Sequence, residues 1–156
     1  MDHKHYMQEA VTAALKGMQN NEGGPFGCVI VKDGKIIGKG NNKVTSTNDP
    51  TAHAEVTAIR DACKNLGSFQ LEGCTIYTSC EPCPMCLGAI YWARPEKVYY
   101  GSTKTDAAHI GFDDDFIYEE LKLPYADRSI PFEQLAPEVA ITPFQEWAVK
   151  EDKTEY

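Results

Sequence analysis

The sequence lacks the features that would place a protein in a membrane or on a nucleic acid. No segment approaches the roughly 20 consecutive apolar residues of a membrane-spanning helix. The first residues, Met1 to His5, lack the apolar stretch of a signal peptide. Positive charge is scarce: 15 Lys and Arg stand against 23 Asp and Glu, a net charge of −8. Because an acidic surface repels phosphate backbones, nucleic acid is disfavoured as a partner.

The sequence also lacks repeats, low-complexity segments and any linker long enough to separate two domains. A chain of 156 residues can bury a hydrophobic core of its own. We therefore expect a single domain over residues 1–156.

Hydrophobic patterning predicts helices alternating with strands. Asp33-Gly34, a strong hairpin-turn signal, separates two apolar runs and predicts two antiparallel strands. The expected strands are 26–31, 35–40, 74–79 and 97–101. The expected helices are about 4–20, one opened by Pro50 and ending near Gly67, 83–93, 113–121 and 143–149. Residues 45–49 are expected to form a loop, and the chain is less regular over 106–116.

The cysteines point to a metal and not to disulfides. Of the six, Cys80, Cys83 and Cys86 fall within seven residues. Neighbours that close are poor disulfide partners and good metal ligands. Free thiols and the absence of a signal sequence predict a cytoplasmic protein.

Two short motifs carry the chemistry. His53-Ala54-Glu55 reads H-x-E, and Pro82 to Cys86 reads P-C-x-x-C. One imidazole (His53) and two thiolates (Cys83, Cys86) suit Zn²⁺, and three protein ligands leave a fourth position open for water. Glu55 can then transfer protons without binding the metal.

Two alternatives remain for this cluster. Cys80 could be a fourth ligand that closes the site, although we expect Pro82 to turn it away. The C-x-x-C pair alone could be a redox pair, but the upstream H-x-E and the lack of a thioredoxin-like organisation argue against it.

These motifs are typical of zinc nucleotide deaminases. With residues 24–27, 49–55 and 82–86, the chain resembles the cytidine deaminase superfamily. With residues 90–94, 106–108, 111–114 and the tail, it resembles the small bacterial guanine deaminases within it. The resemblance implies an α/β protein with a three-layer α/β/α fold and a mixed sheet of about five strands. It also implies a homodimer in which the C-terminal segment, about 120–156, completes the active site or the dimer.

The implied reaction is the hydrolysis of guanine to xanthine and ammonia, with one Zn²⁺ per subunit and Glu55 as the proton-transfer residue. Guanine's N1–H and exocyclic amine are adjacent donors that suit a carboxylate, and the resemblance assigns Asp114 to them. Asp113 and Asp115 flank it, so either could take its place, or the acidic run could be solvated.

Further substrate contacts are expected. An Asn side chain offers a donor and an acceptor to a purine edge, and aromatic rings can stack on it. Trp92 could instead belong to the core or to a dimer interface, and Tyr156 could fray into solvent. The candidate contacts beside Asp114 are Asn42, Ala54, Phe26, Trp92 and Tyr156.

Three other functions remain open. A tRNA adenosine deaminase shares the zinc motif but should carry basic surfaces, whereas residues 151–156 of this chain are acidic. A cytidine or deoxycytidylate deaminase is a second enzyme alternative. A non-catalytic zinc-binding scaffold is a third, although a structural zinc needs no Glu55.

Overall fold

The computed structural model describes residues 2–156. It divides the chain into two compact units, the first ending at Asp114 and the second running from Asp115 to Tyr156. In the first unit the helices are α1 (His3–Gln19), α2 (Val44–Thr47), α3 (Ala54–Leu66), α4 (Pro84–Ala93) and α5 (Lys104–His109). Its strands are β1 (Gly27–Lys32), β2 (Lys35–Asn41), β3 (Cys74–Cys80) and β4 (Lys97–Ser102).

The four strands form one mixed sheet in the order β2-β1-β3-β4. The predicted hairpin joins β1 to β2, and both turn residues, Asp33 and Gly34, have positive φ, as the favoured two-residue turns require. Strand β3 pairs antiparallel with β1 and parallel with β4, across the connection made by α4. The residues described form four strands where about five were expected.

Helices cover both faces of this sheet. On one face α1 places Tyr6 and Ala10 against Val29 and Tyr77. On the other face, α3 and α4 pack on the strand side chains that point away from α1. The buried cluster formed there by helix and strand residues comprises Cys28, Ile30, Ala54, Ala58, Ala62, Leu71, Cys74, Ile76, Ile90 and Ala93. The predicted three-layer α/β/α arrangement is therefore confirmed.

Helix α3 rests on β2 without intervening side chains. A Cβ added to Gly38 would lie 2.6 Å from the Ala58 carbonyl oxygen, and one added to Gly40 would collide with the Ala54 carbonyl. Only glycine permits so close an approach of helix and strand backbones. The strand surface thus sets the position of the N-terminal end of α3.

The predicted start of this helix at Pro50 is wrong. Asp49 Oδ1 accepts hydrogen bonds from the Thr51 backbone N–H (2.8 Å) and hydroxyl (2.7 Å), and this local turn competes with helix formation. His53 is still extended, with φ −70° and ψ 158°, and α3 begins at Ala54.

Two other local predictions need correction. Cys83 is the N-cap of α4 and does not lie in its first turn. Helices α2 and α5 occupy segments expected to be loop or irregular. A capping box explains α5: the Thr103 hydroxyl accepts from the Asp106 N–H, and the Asp106 carboxylate accepts from the Thr103 N–H.

The second unit contains α6 (Asp115–Lys122), a 3₁₀ turn at Tyr125–Asp127, α7 (Pro137–Ala140) and α8 (Thr142–Val149). None of its residues is buried. Its exposed large apolar side chains are Phe116, Leu121, Leu123, Tyr125, Ile130, Phe132, Leu135, Val139, Ile141, Phe144, Trp147, Val149 and Tyr156. Across residues 2–156, no helix combines the length and the apolar character that crossing a bilayer requires.

Candidate zinc and active site

The two predicted motifs meet at the N-terminal ends of α3 and α4. His53 is the N-cap of α3 and Cys83 the N-cap of α4, and Cys86 lies in the first turn of α4. His53 Nδ1 is 3.4 Å from Cys83 Sγ and 3.5 Å from Cys86 Sγ. One potential ligand atom from each of the three residues lies within 4.8 Å of the others. These side chains are arranged to hold a single metal ion.

The chemistry of this donor set fits zinc. One imidazole nitrogen and two thiol sulfurs are its preferred ligands, and a three-residue set is typical of a catalytic site. Among the residues described, no fourth His, Cys, Asp or Glu joins the cluster. The Cys80 thiol is buried and instead donates to the Thr103 carbonyl at 3.6 Å. Cys80 therefore lies outside the cluster, as expected.

Electrostatics favour the ligand form of Cys83. A hydrogen bond from the Cys86 thiol lowers the pKa of Cys83 to about 4, with further contributions from His53 and the Cys86 backbone N–H. The neighbouring Cys83 thiolate and burial raise the pKa of Cys86. Hydrogen bonding to Cys83 also raises the pKa of His53. A cation among these groups would relieve the repulsion between two thiolates.

Glu55 lies beside the cluster, with one carboxylate oxygen hydrogen-bonded and the other facing Cys86. The Glu55 residue is only 6% exposed. Oε1 accepts from the Thr78 hydroxyl at 2.8 Å, and Oε2 lies 3.3 Å from Cys86 Sγ. A buried carboxylate next to a metal site can exchange protons with a reacting molecule without becoming a ligand.

A cavity of about 280 Å³ opens beside Cys83 and is lined by Asp114. This volume is close to the lower limit for small-molecule sites. Burial raises the pKa of the Asp114 carboxyl, and the nearby Cys83 adds to the effect. The remaining lining residues are Glu81, Lys104, Ala107, Gly111, Phe112 and Asp113.

The structure refines the predicted role of Asn42. Its side chain is buried, and Oδ1 already accepts from the backbone N–H groups of Gly24 (3.2 Å) and Val44 (3.1 Å). The acceptor expected to face a purine is therefore used within the protein. Only the Nδ2 donor remains for a ligand.

Comparison with known proteins identifies the family. Residues 1–102 match the model described as "Cytidine and deoxycytidylate deaminase zinc-binding region". The chain belongs to this deaminase family. The predicted superfamily and its zinc-binding character are confirmed.

Individual members of the family differ in how much of the chain they match. The guanine deaminase of Bacillus subtilis (strain 168) is 58% identical over 156 residues, the full length of both chains. An X-ray structure of guanine deaminase from Bacillus subtilis superimposes with a TM-score of 0.97, at 58% identity, covering 100% of this chain and 99% of that one. The tRNA-specific adenosine deaminase of Aquifex aeolicus is 41% identical over 65% of this chain and 67% of its own.

The remaining residues predicted to contact the substrate of this deaminase differ in their burial and in their neighbours. Phe26 packs edge-to-face on Phe112, with ring centroids 5.0 Å apart. Ala54 is fully buried between His53 and Glu55. Trp92 is 63% exposed near the end of α4, so the core alternative is wrong for it. Its part in substrate binding, like that of Tyr156 in the second unit, stays a prediction.

Sequence reasoning overlooked two residues of the deaminase site. Phe112 lines the cavity and contacts Phe26, and the only signal for it in the sequence is its place within the 111–114 segment that resembles the guanine deaminases. Thr78 bonds Glu55 across 23 positions of sequence. No local spacing signals such a contact, because Thr78 is one of several polar residues in β3 and only the folded sheet brings it to Glu55.

Proposed function

We propose that this protein is a zinc-dependent guanine deaminase that converts guanine and water to xanthine and ammonia. The observation that carries the proposal is the convergence of His53, Cys83, Cys86 and Glu55 beside a cavity lined by Asp114. The 58% identity with a guanine deaminase over the full chain supports this substrate.

In this proposal His53, Cys83 and Cys86 hold the zinc. When bound, the metal makes a water molecule acidic enough to act as a nucleophile near neutral pH. The N-terminal ends of α3 and α4 bring the three side chains together, and their positive dipole ends favour thiolate sulfur and a neutral imidazole.

Glu55 performs the proton transfers. A bond forms between the water oxygen and C2 of guanine, and the bond from C2 to the exocyclic nitrogen breaks. Glu55 takes one proton from the attacking water and delivers it to the ring nitrogen; it then takes the remaining proton from the C2 hydroxyl and delivers it to the amine, which leaves as ammonia while C2 becomes a carbonyl. One carboxylate can serve all these steps because it accepts a proton before giving one back.

The cavity residues orient the base. The Asp114 carboxylate accepts from N1–H and the exocyclic amine of guanine, a pair of donors that adenine lacks at this edge. Asn42 donates from Nδ2 to a purine acceptor, and Phe26, supported by Phe112, contacts the ring. Ala54 closes the site between His53 and Glu55.

We further propose a cytoplasmic homodimer that acts in guanine catabolism. The second unit has thirteen exposed large apolar side chains and no buried residue, far more than a 42-residue unit can leave in water. A second copy of the chain would cover them, and Trp92 and Tyr91 of α4 offer a further exposed aromatic surface. The segment 120–156, with Tyr156, would then complete the active site or the dimer, and a monomer in light scattering would contradict this.

One assay separates the candidate substrates. The zinc-loaded protein is incubated with guanine, adenine, cytosine, their nucleosides and tRNA, and released ammonia is measured. Guanine alone among the bases should give rapid release. Preferential release from tRNA would favour the adenosine-deaminase alternative, and zinc binding without ammonia from any substrate would favour a scaffold.

A further inference from the structure

The hydroxyl of Thr78, on strand β3, contacts Glu55, the proposed proton-transfer residue. Thr78 Oγ1 lies 2.8 Å from Glu55 Oε1 and 3.1 Å from the Cys80 carbonyl oxygen. The side chain is 1% exposed, so water cannot replace either contact. It is one of three buried polar or charged residues in the described chain, with Asn42 and Glu55.

The position of Thr78 on the sheet explains this contact. Side chains alternate along β3, so Thr78 shares a face with Ile76, under α3 and α4. A valine would fill the same space among these apolar neighbours. Threonine instead adds one hydroxyl where the strand passes beneath Glu55, and its branched side chain has few accessible rotamers.

The hydrogen bonds leave the two carboxylate oxygens with different partners. A hydroxyl has a single proton, and Thr78 Oγ1 is closer to Glu55 Oε1 (2.8 Å) than to the Cys80 carbonyl oxygen (3.1 Å). Thr78 therefore donates to Glu55 Oε1, while Oε2 is 3.3 Å from Cys86 Sγ on the side of the ligand cluster. A side chain tied at one oxygen has little freedom to rotate away from that cluster.

We infer that Thr78 is a positioning residue for Glu55. Its hydroxyl anchors Oε1 and thereby directs Oε2 toward the reacting molecule. The Cys80 carbonyl oxygen, 3.1 Å from the same hydroxyl, is the alternative acceptor within reach. This inference rests on the proposed function for the role of Glu55, but the anchoring itself is a property of the folded chain.

The kinetic test compares Thr78→Val with Thr78→Ser. Valine keeps the shape and removes the hydroxyl, whereas serine keeps the hydroxyl and removes a methyl group. In zinc-loaded protein, Thr78→Val should lower kcat for guanine by about 10- to 100-fold, the loss typical of a misplaced catalytic group, with KM little changed. Thr78→Ser should restore most of kcat.

Thr75→Val is the matched control, because it makes the same change on the same strand three residues away, on the other face. It should leave kcat unchanged. Wild-type kcat in zinc-loaded Thr78→Val, or equal losses with valine and serine, would overturn the inference.

A second readout does not depend on activity. In metal-free protein, thermal unfolding is measured for Thr78→Val, Glu55→Ala, the double variant and the unaltered chain. Thr78→Val should lower the midpoint by at least about 2–4 °C more when Glu55 is present than in the Glu55→Ala background. Equal shifts in the two backgrounds would mean that the hydroxyl serves only the Cys80 carbonyl, and would overturn the inference.

The two readouts also separate this inference from the proposed function. If the unaltered zinc protein releases no ammonia from guanine, the proposed function fails. The thermal cycle would still decide whether Thr78 holds Glu55.

Discussion

Replacement of Glu55 by glutamine tests the proposed chemistry with little change in shape. One carboxylate oxygen becomes an NH₂ group. Thr78 can still donate to the remaining oxygen, now at the Oε1 position, which is 2.8 Å away. The new NH₂ group then faces Cys86 Sγ, 3.3 Å from Oε2, which is a weak acceptor. The side chain should keep its place, and all three proposed zinc ligands are untouched.

The expected loss follows from the number of proton transfers. General acid–base catalysis contributes about 10²–10⁴ in rate, or about 2.7–5.5 kcal/mol of barrier. Because Glu55 both accepts and returns protons, kcat of Glu55→Gln should fall by about 10⁴ or more. Stability should change little: a hydrogen bond to a charged group is replaced by a weaker neutral one, while the cost of burying a charge disappears.

The assay follows guanine loss and ammonia release with protein of measured zinc content. Glu72→Gln, the same change at an exposed site, is the control and should keep kcat. If zinc-loaded Glu55→Gln turns over guanine within about tenfold of the unaltered protein, then Glu55 is not the acid–base residue.

Three further groups of variants test the zinc ligands, the base-recognition residue and the C-terminal tail. Alanine at Cys83 or Cys86 should empty the zinc site, whereas Cys80→Ala should retain the metal; zinc loss from Cys80→Ala in metal analysis would indicate a closed, structural site. Because burial raises the pKa of Asp114, its carboxylate becomes protonated at a higher pH than that of an ordinary aspartate. Guanine binding should therefore weaken as the pH falls through that pKa, and Asp114→Asn should raise KM at least about tenfold and abolish the pH dependence; an unaltered KM would remove Asp114 from recognition. Deletion of residues 153–156 should leave fold and zinc intact but lower guanine turnover, and a truncated protein with unchanged rate and affinity would show that the tail does not cover the substrate.

The metal-site residues could be predicted because their geometry is local. His53 and Glu55 lie on either side of the start of α3, and Cys83 caps α4 while Cys86 lies in its first turn, so the spacing within each motif places its two side chains together. The strands were equally visible, since alternating side chains and Asp33-Gly34 act over a few residues.

Two local side-chain effects and two contacts between distant segments could not be predicted in this way. Asp49 competes with the helix signal of Pro50 through its own side chain, which delays α3 to Ala54. Thr103 and Asp106 have the spacing of a capping box, but the residues after them show no clear hydrophobic periodicity, so helix α5 was not predicted. The ring contact of Phe26 with Phe112 and the hydrogen bond from Thr78 to Glu55 join residues far apart in the sequence. They depend on the folded sheet, and no sequence spacing predicts them.

The direct backbone packing of α3 on Gly38 and Gly40 limits which positions can be changed to alter the substrate specificity of this enzyme. A methyl group at Gly40 would push the Ala54 end of the helix outward and carry His53 and Glu55 with it. In a mutational scan, substitutions at Gly40 should therefore be tolerated as poorly as substitutions of a zinc ligand, although Gly40 contacts neither metal nor substrate. Libraries for new substrates should leave β2 unvaried and diversify residues 111–114, where side chains line the cavity without supporting a helix.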